Sequence, residues 1–297
     1  MKILNFGSLN IDYVYSVDHF VRGGETLDSS CLELFAGGKG LNQSIAFSRA
    51  GAEVFHAGSI GSEGAFLIDT LNTNNVNTEF ILNSPLEKTG HAIIQVTKSG
   101  ENCILLFGGA NMTIKKDFVD HCIEKFSIGD FLMLQNEIND IEYIISKAHS
   151  KGLTIALNPS PFNEKISALD LSLIDWLILN ETEGKELTGK DLPQDILGSL
   201  LLRYPNLKIV LTLGADGSIY ADSSCNIQQS AFKANAVDTT AAGDTFTGYF
   251  FASLMRGETS ANALRIASAA SAIAVSRKGA SPSIPTYQEV LSSEYLK

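Results

Sequence analysis

Residues 235–257 read NAVDTTAAGDTFTGYFFASLMRG: a polar loop, three small residues, an aspartate, and then an apolar run. A glycine-containing turn that feeds a helix presents unpaired backbone N–H groups, and the helix dipole adds partial positive charge there. Ala241, Ala242, Gly243 and Asp244 therefore read as a cradle for an anion such as phosphate, one that needs no lysine. An acid in that place repels the anion unless it takes up a proton or orients a nucleophile. The alternative is that Asp244 is simply the N-cap of the helix, a role aspartate fills well.

Three other stretches carry chemistry. In ELFAGGKGLNQSIAFSRAGA (33–52), Gly37, Gly38 and Gly40 let the backbone approach a ligand closely, Lys39 adds a charge, and Asn42 heads the helix that follows. The order and spacing differ from a Walker A loop. In LNETEGKEL (179–187) a strand delivers Asn180 and Glu183; these read either as a helix-capping sequence or as hard oxygen donors for magnesium, which commonly binds through water. The loop RKGASPSIP (277–285) is rich in small residues whose carbonyls suit a monovalent cation. One decoy is GKELTGKD (184–191), which nearly matches a P-loop. Asp191 stands in place of the magnesium-binding hydroxyl and the segment follows a helical pattern, so it reads as a helix end and turn.

Short apolar runs must position these groups: KILNFGS, EVFHAGSIG, DFLMLQ, LTIALNPS, DWLILNETE and KIVLTLGADG, each ending in Gly, Asn, Ser or another polar residue. Helical patterns at 41–51, 141–152 and 195–204 alternate with them, which implies an α/β fold with a parallel sheet covered on both faces. Ligands of such sheets sit beyond the carboxyl ends of the strands. There the chain carries Asn10, Asp12, Glu137, Asn158, Asn180, Glu183 and the loop 212–217. Two regions break the rhythm: 89–111 reads as an antiparallel hairpin around Lys98–Asn102, and 13–35 as further strands without helices. Together they predict a small β appendage where a lid belongs. From Asp244 to Val275 the pattern is helical, with Gly257 stopping the first helix.

The 297 residues are 44% hydrophobic and 19% charged, the composition of a globular protein. A net charge of −11 and the absence of any Lys/Arg run exclude a nucleic-acid surface. Four scattered cysteines signal neither a disulfide framework nor a zinc site. The apolar N-terminus is broken by Asn5, Gly7, Asn10 and Asp12 within the length of a signal h-region and nowhere do 18 apolar residues run together, so the chain is expected to be neither exported nor membrane-spanning, and its scattered cysteines point to a reduced cytoplasm, with no membrane partner.

Taken in order, GSLNID, GGKGLNQSIAFSRAGA, GAN, LNPSP, LNETE, TLGADG, DTTAAGDTFTG and SRKGASPSIP resemble the ribokinase branch of the PfkB carbohydrate kinase family across nearly the whole chain. The resemblance implies a three-layer α/β/α ribokinase-like fold with a mostly parallel central sheet. It also implies one domain over 1–297, with lid strands from about 11–35 and 89–107. It implies a sugar pocket drawn from Asn10, Asp12, Gly38, Lys39, Asn42 and Glu137. The nucleotide side would use Asn180, Thr212, Leu213, Gly214, Ala215, Asp216, Gly217, Gly243 and Ser268, and Asp244 would be the catalytic base. Glu183 would reach Mg²⁺ through water. Potassium would sit among Asp238, Thr240, Ala274, Arg277, Gly279 and Ser283, mostly on backbone oxygens. The implied reaction is transfer of the γ-phosphoryl group of ATP to the primary hydroxyl of a free pentose, D-ribose giving ribose 5-phosphate, by a homodimer paired through its lids.

Three positions depart from the commonest pattern of that branch: Leu41 where a smaller alanine is frequent, Ser268 where histidine is often found near the adenine, and Phe107 close to the lid. The expectation is that Leu41 narrows the sugar pocket and Ser268 loosens base recognition. Fructose, a deoxyribose or a nucleoside are the alternative acceptors, and a non-catalytic sugar-binding protein is the alternative class. A nucleoside kinase wants apolar groups to stack the base and a phosphosugar kinase wants more cations than Lys39. A dinucleotide-dependent oxidoreductase wants GxGxxG, where FGSLNID offers only Gly7.

Overall fold

The computed structural model describes residues 1–297. Its strands are β1 (Ile3–Phe6), β2 (Asn10–Val17), β3 (Cys31–Gly37), β4 (Val54–Ile60), β5 (Asn77–Asn83), β6 (Gly90–Thr97), β7 (Asn102–Phe107), β8 (Phe131–Gln135), β9 (Thr154–Asn158), β10 (Trp176–Asn180), β11 (Lys208–Thr212), β12 (Ser218–Ala221) and β13 (Asn226–Gln229). Its helices are α1 (Lys39–Arg49), α2 (Ala65–Thr73), α3 (Lys116–Glu124), α4 (Ile141–Lys151), α5 (Glu164–Ser167), α6 (Glu181–Thr188), α7 (Pro193–Arg203), α8 (Ala242–Met255), α9 (Ser260–Val275) and α10 (Tyr287–Ser292).

Nine strands form one sheet in the order β13-β12-β11-β10-β9-β8-β1-β4-β5, parallel from β11 through β5 and antiparallel at the β11-β12-β13 end. Successive side chains of a strand point to opposite faces, and here the two faces feed two separate cores. Ile3, Met133, Ile178 and Val210 face α1, α2, α8 and α9, whereas Leu4, Leu132, Leu177 and Ile209 face α3, α4 and α7. Both faces are covered, which is why these strands are near-continuous apolar runs and the fold is a three-layer α/β/α sandwich. No helix is long and apolar enough to cross a membrane.

A second sheet of four strands, β3-β2-β6-β7, pairs β2 with β6 in parallel and both outer pairs antiparallel. The hairpin of β6 and β7 turns at Gly100, whose φ of 84° suits glycine. The first pair is tighter than the sequence pattern suggests: 18–30 is not strand, and β2 starts at Asn10, immediately beyond the body strand β1.

Short polar strands escape the sequence pattern. The strands β5 and β13 lie at the two edges of the large sheet and β13 is only Asn226–Gln229, too short and polar for apolar alternation to mark it. The near-P-loop segment is the end of α6, closed by Gly189 in the left-handed conformation, with Lys185 paired to Asp191 at 2.6 Å.

Candidate active site

The strand order reverses beside β1, whose neighbours are β4 and β8, and the crevice at the carboxyl ends of the strands opens there. Into it point the N-termini of α1 and α8. Helix α8 begins at Ala242 behind Ala241, which has a φ of 60° and no capping side chain. Asp244 therefore lies inside the first turn, and its carboxylate does not cap its own helix. Asn42 Nδ2 donates to Oδ2 at 3.1 Å and Gln43 Nε2 to Oδ1 at 2.9 Å. The capping alternative is overturned because the side chain is turned away, toward α1.

Asp244 is only 9% exposed. Burial pushes its carboxyl upward, while Lys39 and the amide donors of Gln43 and Asn42 oppose the rise. Lys39 is in turn depressed by burial, but Asp244, Glu137, Glu183 and Asp12 together outweigh that loss and raise its ammonium. One cation thus sits among four carboxylates.

On one side of Lys39 lies the group built by β2, α1 and the turn after β8. Asp12, on β2, is pushed up to about 7 by burial and then by Glu137, with Lys39 pulling it back. Glu137 Oε2 accepts from the Lys39 backbone N–H at 3.0 Å and from the Ser8 hydroxyl. Gly38 precedes α1 with a φ of 95°, a conformation that side chains avoid. Asn10 is held by a residue that sequence reasoning quoted in GAN but gave no role. Asn111 Nδ2 donates to Asn10 Oδ1 at 2.8 Å, and its Oδ1 accepts from the Leu9 N–H at 3.0 Å. Ser8 was missed as well; it follows the first glycine of the chain, and its hydroxyl is the only local signal.

On the other side of Lys39 two cavities meet. The first, about 230 Å³, is lined by Lys39, Asn158, Asn180, Glu183, Gly243 and Asp244. The second, about 470 Å³ and more apolar, runs between Gly214, Ala215, Gly217, Phe232, Phe246 and Ser268. Thr212, Thr239 and Gly243 border both. Of the predicted loop, Leu213 instead turns its side chain into the core beside β11, and Asp216 serves the turn by donating its N–H to the Leu213 carbonyl at 3.0 Å.

Asn180 and Glu183 form a reciprocal capping box on α6: Asn180 Oδ1 accepts from the Glu183 N–H at 2.9 Å and Glu183 Oε2 from the Asn180 N–H at 3.0 Å. The capping reading is therefore true, and Glu183 lines the cavity as well. No cluster of three His, Cys, Asp or Glu side chains exists that could hold a metal ion. A magnesium ion would fit here only through water and ligand phosphates.

Beyond Gly243 the Asp238 carboxylate joins two loops. It accepts from Thr240 N at 2.9 Å, from Thr240 Oγ1 at 2.6 Å and from Gly279 N at 2.9 Å. Val275 O accepts from Val237 N at 2.8 Å, which brings the end of α9 alongside. Asp238, Thr240 and Gly279 are thus brought together, with Ala274 next to Val275. The Arg277 side chain turns away to Glu289 at 2.6 Å, and Ser283 is buried with its hydroxyl on the Ala280 carbonyl. The Asp238 carboxyl is held below its ordinary value, the Thr240 and Gly279 donors overcoming burial. Its oxygens are occupied, so a cation here would rest on carbonyls.

Leu41 corrects an expectation: it is fully buried within the core shared with α8 and does not reach the pocket. Ser268 does line the apolar cavity.

The pfkB family carbohydrate kinase profile matches residues 1–287. The ribokinase of Haemophilus influenzae is 36% identical over 304 residues, covering 98% of this chain and 97% of the relative. Among solved structures, the ribokinase of Cryptococcus neoformans var. grubii in complex with ADP superposes with a TM-score of 0.84 at 33% identity, covering 97% of this chain and 98% of that one. The Arabidopsis thaliana ribokinase complexed with ribose and ATP gives 0.85 at 28% identity, over 100% of this chain and 98% of that one. The match runs over nearly the whole chain, and the chain belongs to the pfkB family of carbohydrate kinases.

Proposed function

We propose that the chain is a ribokinase, transferring the γ-phosphoryl group of ATP to the primary hydroxyl of D-ribose. The observation that carries the reading is the position of Asp244: a buried carboxylate at the start of α8, bordered by a polar cavity and backed by a polyol-suited cluster. The relatives that bind ADP, or ribose and ATP, support the choice of ligands.

Asn10, Asp12, Gly38, Lys39, Asn42 and Glu137 bind the sugar with a mixture of donors and acceptors. Asp244 accepts the proton of the attacking hydroxyl. The N–H groups of Gly243 and Asp244 face the charge that develops on the transferring phosphoryl group, the preorganised stabilisation on which such reactions depend; the Ala242 N–H, expected in the same cradle, is instead taken up by the Thr239 carbonyl at 3.2 Å. Lys39 keeps Asp244 anionic and screens it from the phosphates. The nucleotide base lies in the apolar cavity by Ser268, with Thr212, Gly214, Ala215 and Gly217 along its edge and Asn180 toward the phosphates. Glu183 would hold Mg²⁺ through water, and the ion would supply neutralisation of phosphate charge. Carbonyls of the loops joined by Asp238 would hold K⁺.

The four-stranded sheet is the lid of a single domain over 1–297. Its edge strands β3 and β7 expose Leu32, Leu34, Ile104, Leu105, Leu106 and Phe107. Unpaired edges with apolar side chains are normally covered, and a second copy of the lid covers them in a homodimer. The cysteines are unpaired, three of them exposed, which suits the reducing cytoplasm.

The test is ATP consumption with D-ribose, 2-deoxyribose, fructose and nucleosides, in potassium and in sodium, for the protein and for Asp244→Asn. Ribose-selective turnover that falls at least roughly 100-fold in the variant, with sugar still bound, is expected. Full activity in Asp244→Asn sinks the role given to that residue, and a preference for another acceptor sinks the choice of ribose.

A further inference from the structure

Beneath Asp244 lies a set of buried polar side chains that the reaction described above does not use. Gln43 Nε2 donates to Asp244 Oδ1 at 2.9 Å and to Asn158 Oδ1 at 3.2 Å, while Gln43 Oε1 accepts from Gln135 Nε2 at 2.7 Å. Gln135 Nε2 also donates to Asn5 Oδ1 at 2.9 Å. Asn5 Nδ2 donates to the Gly40 carbonyl and to Ser44 Oγ, both at 2.7 Å, and Ser44 Oγ meets His56 Nδ1 at 2.8 Å. Asn5, Gln43, Ser44, His56 and Gln135 have no solvent exposure. Burying so many amides costs free energy that apolar side chains at the same positions would not incur.

The network has a polarity, and two backbone carbonyls set it. A carbonyl only accepts. The Gly40 carbonyl fixes the amide of Asn5 with its oxygen toward Gln135. At the other end, the Ile178 carbonyl accepts from Asn158 Nδ2 at 3.0 Å and fixes Asn158 with its oxygen toward Gln43. Gln135 must then present its NH₂ to both Asn5 and Gln43, and Gln43 must present its own NH₂ to Asn158 and Asp244. Reversing Gln43 would set its oxygen against Asp244 and Asn158 and its NH₂ against that of Gln135.

We propose that this amide network is a device for Asp244, in which Gln43 is a positioning residue that holds the carboxylate in one orientation and in its ionised form, and Gln135, Asn158 and Asn5 act by fixing Gln43. The proposal rests on Asp244 being the base. Burial works against ionisation of Asp244, and the Gln43 donor is one of the few groups opposing it. The charged groups around it are Lys39 from α1 and Glu183 from α6, with Glu137 and Asp12 beyond Lys39. His56 is the only titratable member of the network; burial drives it down to about 3, so it stays neutral while the enzyme works.

The experiment measures kcat against pH at saturating sugar and ATP, together with calorimetric sugar affinity, for Gln43→Met, Gln135→Met, the double variant and Asp244→Asn. Methionine keeps the length of the side chain and removes the donor. Gln43→Met is expected to move the acidic limb of kcat upward by about one to two pH units, the size of a hydrogen bond to a charged group, with sugar affinity changed less than about threefold. Gln135→Met, which does not touch Asp244, moves the limb the same way by less, and the double variant moves it no further than Gln43→Met. An unmoved limb, or shifts that simply add, overturns the proposal. Should Gln43→Met fail to bind sugar or to fold, Gln43→Glu decides: its carboxyl against Asp244 must raise the limb, and an unmoved limb there overturns the proposal equally. Retained turnover in Asp244→Asn would instead defeat the assignment of the base and would be seen independently of the limb.

Discussion

The Asp12 carboxylate on β2 occupies the space that a β-carbon on Gly37 of β3 would need. The two strands are paired, with Asp12 opposite Phe35 and Asn10 opposite Gly37, so the glycine is required by a close approach across the sheet. Gly37→Ala is expected to raise the sugar KM at least roughly tenfold, the loss of one or two hydrogen bonds, with the ATP KM nearly unchanged. Equal KM values for sugar in the two proteins would contradict it.

Asp12 also couples binding to stability. Its folded carboxyl sits near 7 against an ordinary 3.8, so between those values the folded chain holds a proton that the unfolded chain has released. The stability this contributes is complete below about pH 4 and is lost as the pH rises through about 7. Asp12→Asn should therefore melt higher than the parent at pH 8 without sugar, and the difference should vanish by pH 4. Thermal melts at both values check this, and a lower melting point at pH 8 would refute it.

Asn111 braces the link between β1 and β2, bonded to Leu9 N, Leu9 O and Asn10 Oδ1 while only 1% exposed. Asn111→Ala leaves these groups without their partner, at roughly 1–3 kcal/mol for each unsatisfied group. A destabilisation of about 3 kcal/mol in urea is expected, together with weakened sugar binding. Lost binding with no loss of stability would show that Asn111 acts by another route.

The Asp238 carboxylate ties Thr240 to Gly279. Removing it as Asp238→Ala lets the carbonyls of the two loops part, so any activation of turnover by potassium should fall to the level given by sodium. A potassium titration of both proteins measures it; an unchanged response in the variant would place the cation elsewhere.

The strands β8 to β11 were legible because each is a buried apolar run that stops at a polar residue, and those stops lie at the candidate site: Gln135, Asn158, Asn180 and Thr212. The role of Asp244 in its helix was not legible. Whether an acid near a helix start caps the helix or turns away depends on three residues of register, and Ala241 in the left-handed region sets that register. Asn111 and the glutamine pair were hidden for a different reason. Asn111 meets Leu9 across 102 positions and Gln43 meets Asp244 across 201, so the partner that gives each amide its meaning is absent from its neighbourhood in the chain. Leu41 was misread because one turn of α1 presents Asn42 to the site and Leu41 to the core.

Asn10 and Asp12 belong to β2, a strand of the small sheet, while Lys39 and Asp244 belong to helices of the body. The two halves of the pocket are therefore mounted on different frames, which the chain joins at the three residues between β1 and β2 and again at Gly38, between β3 and α1. Any change in the angle at that joint alters the span between Asp12 and Lys39. On the proposed sugar-binding reading, a molecule long enough to bridge them would fasten the joint and one too short would leave it loose, so that the pocket would gauge its substrate as a caliper does, by the separation of its jaws.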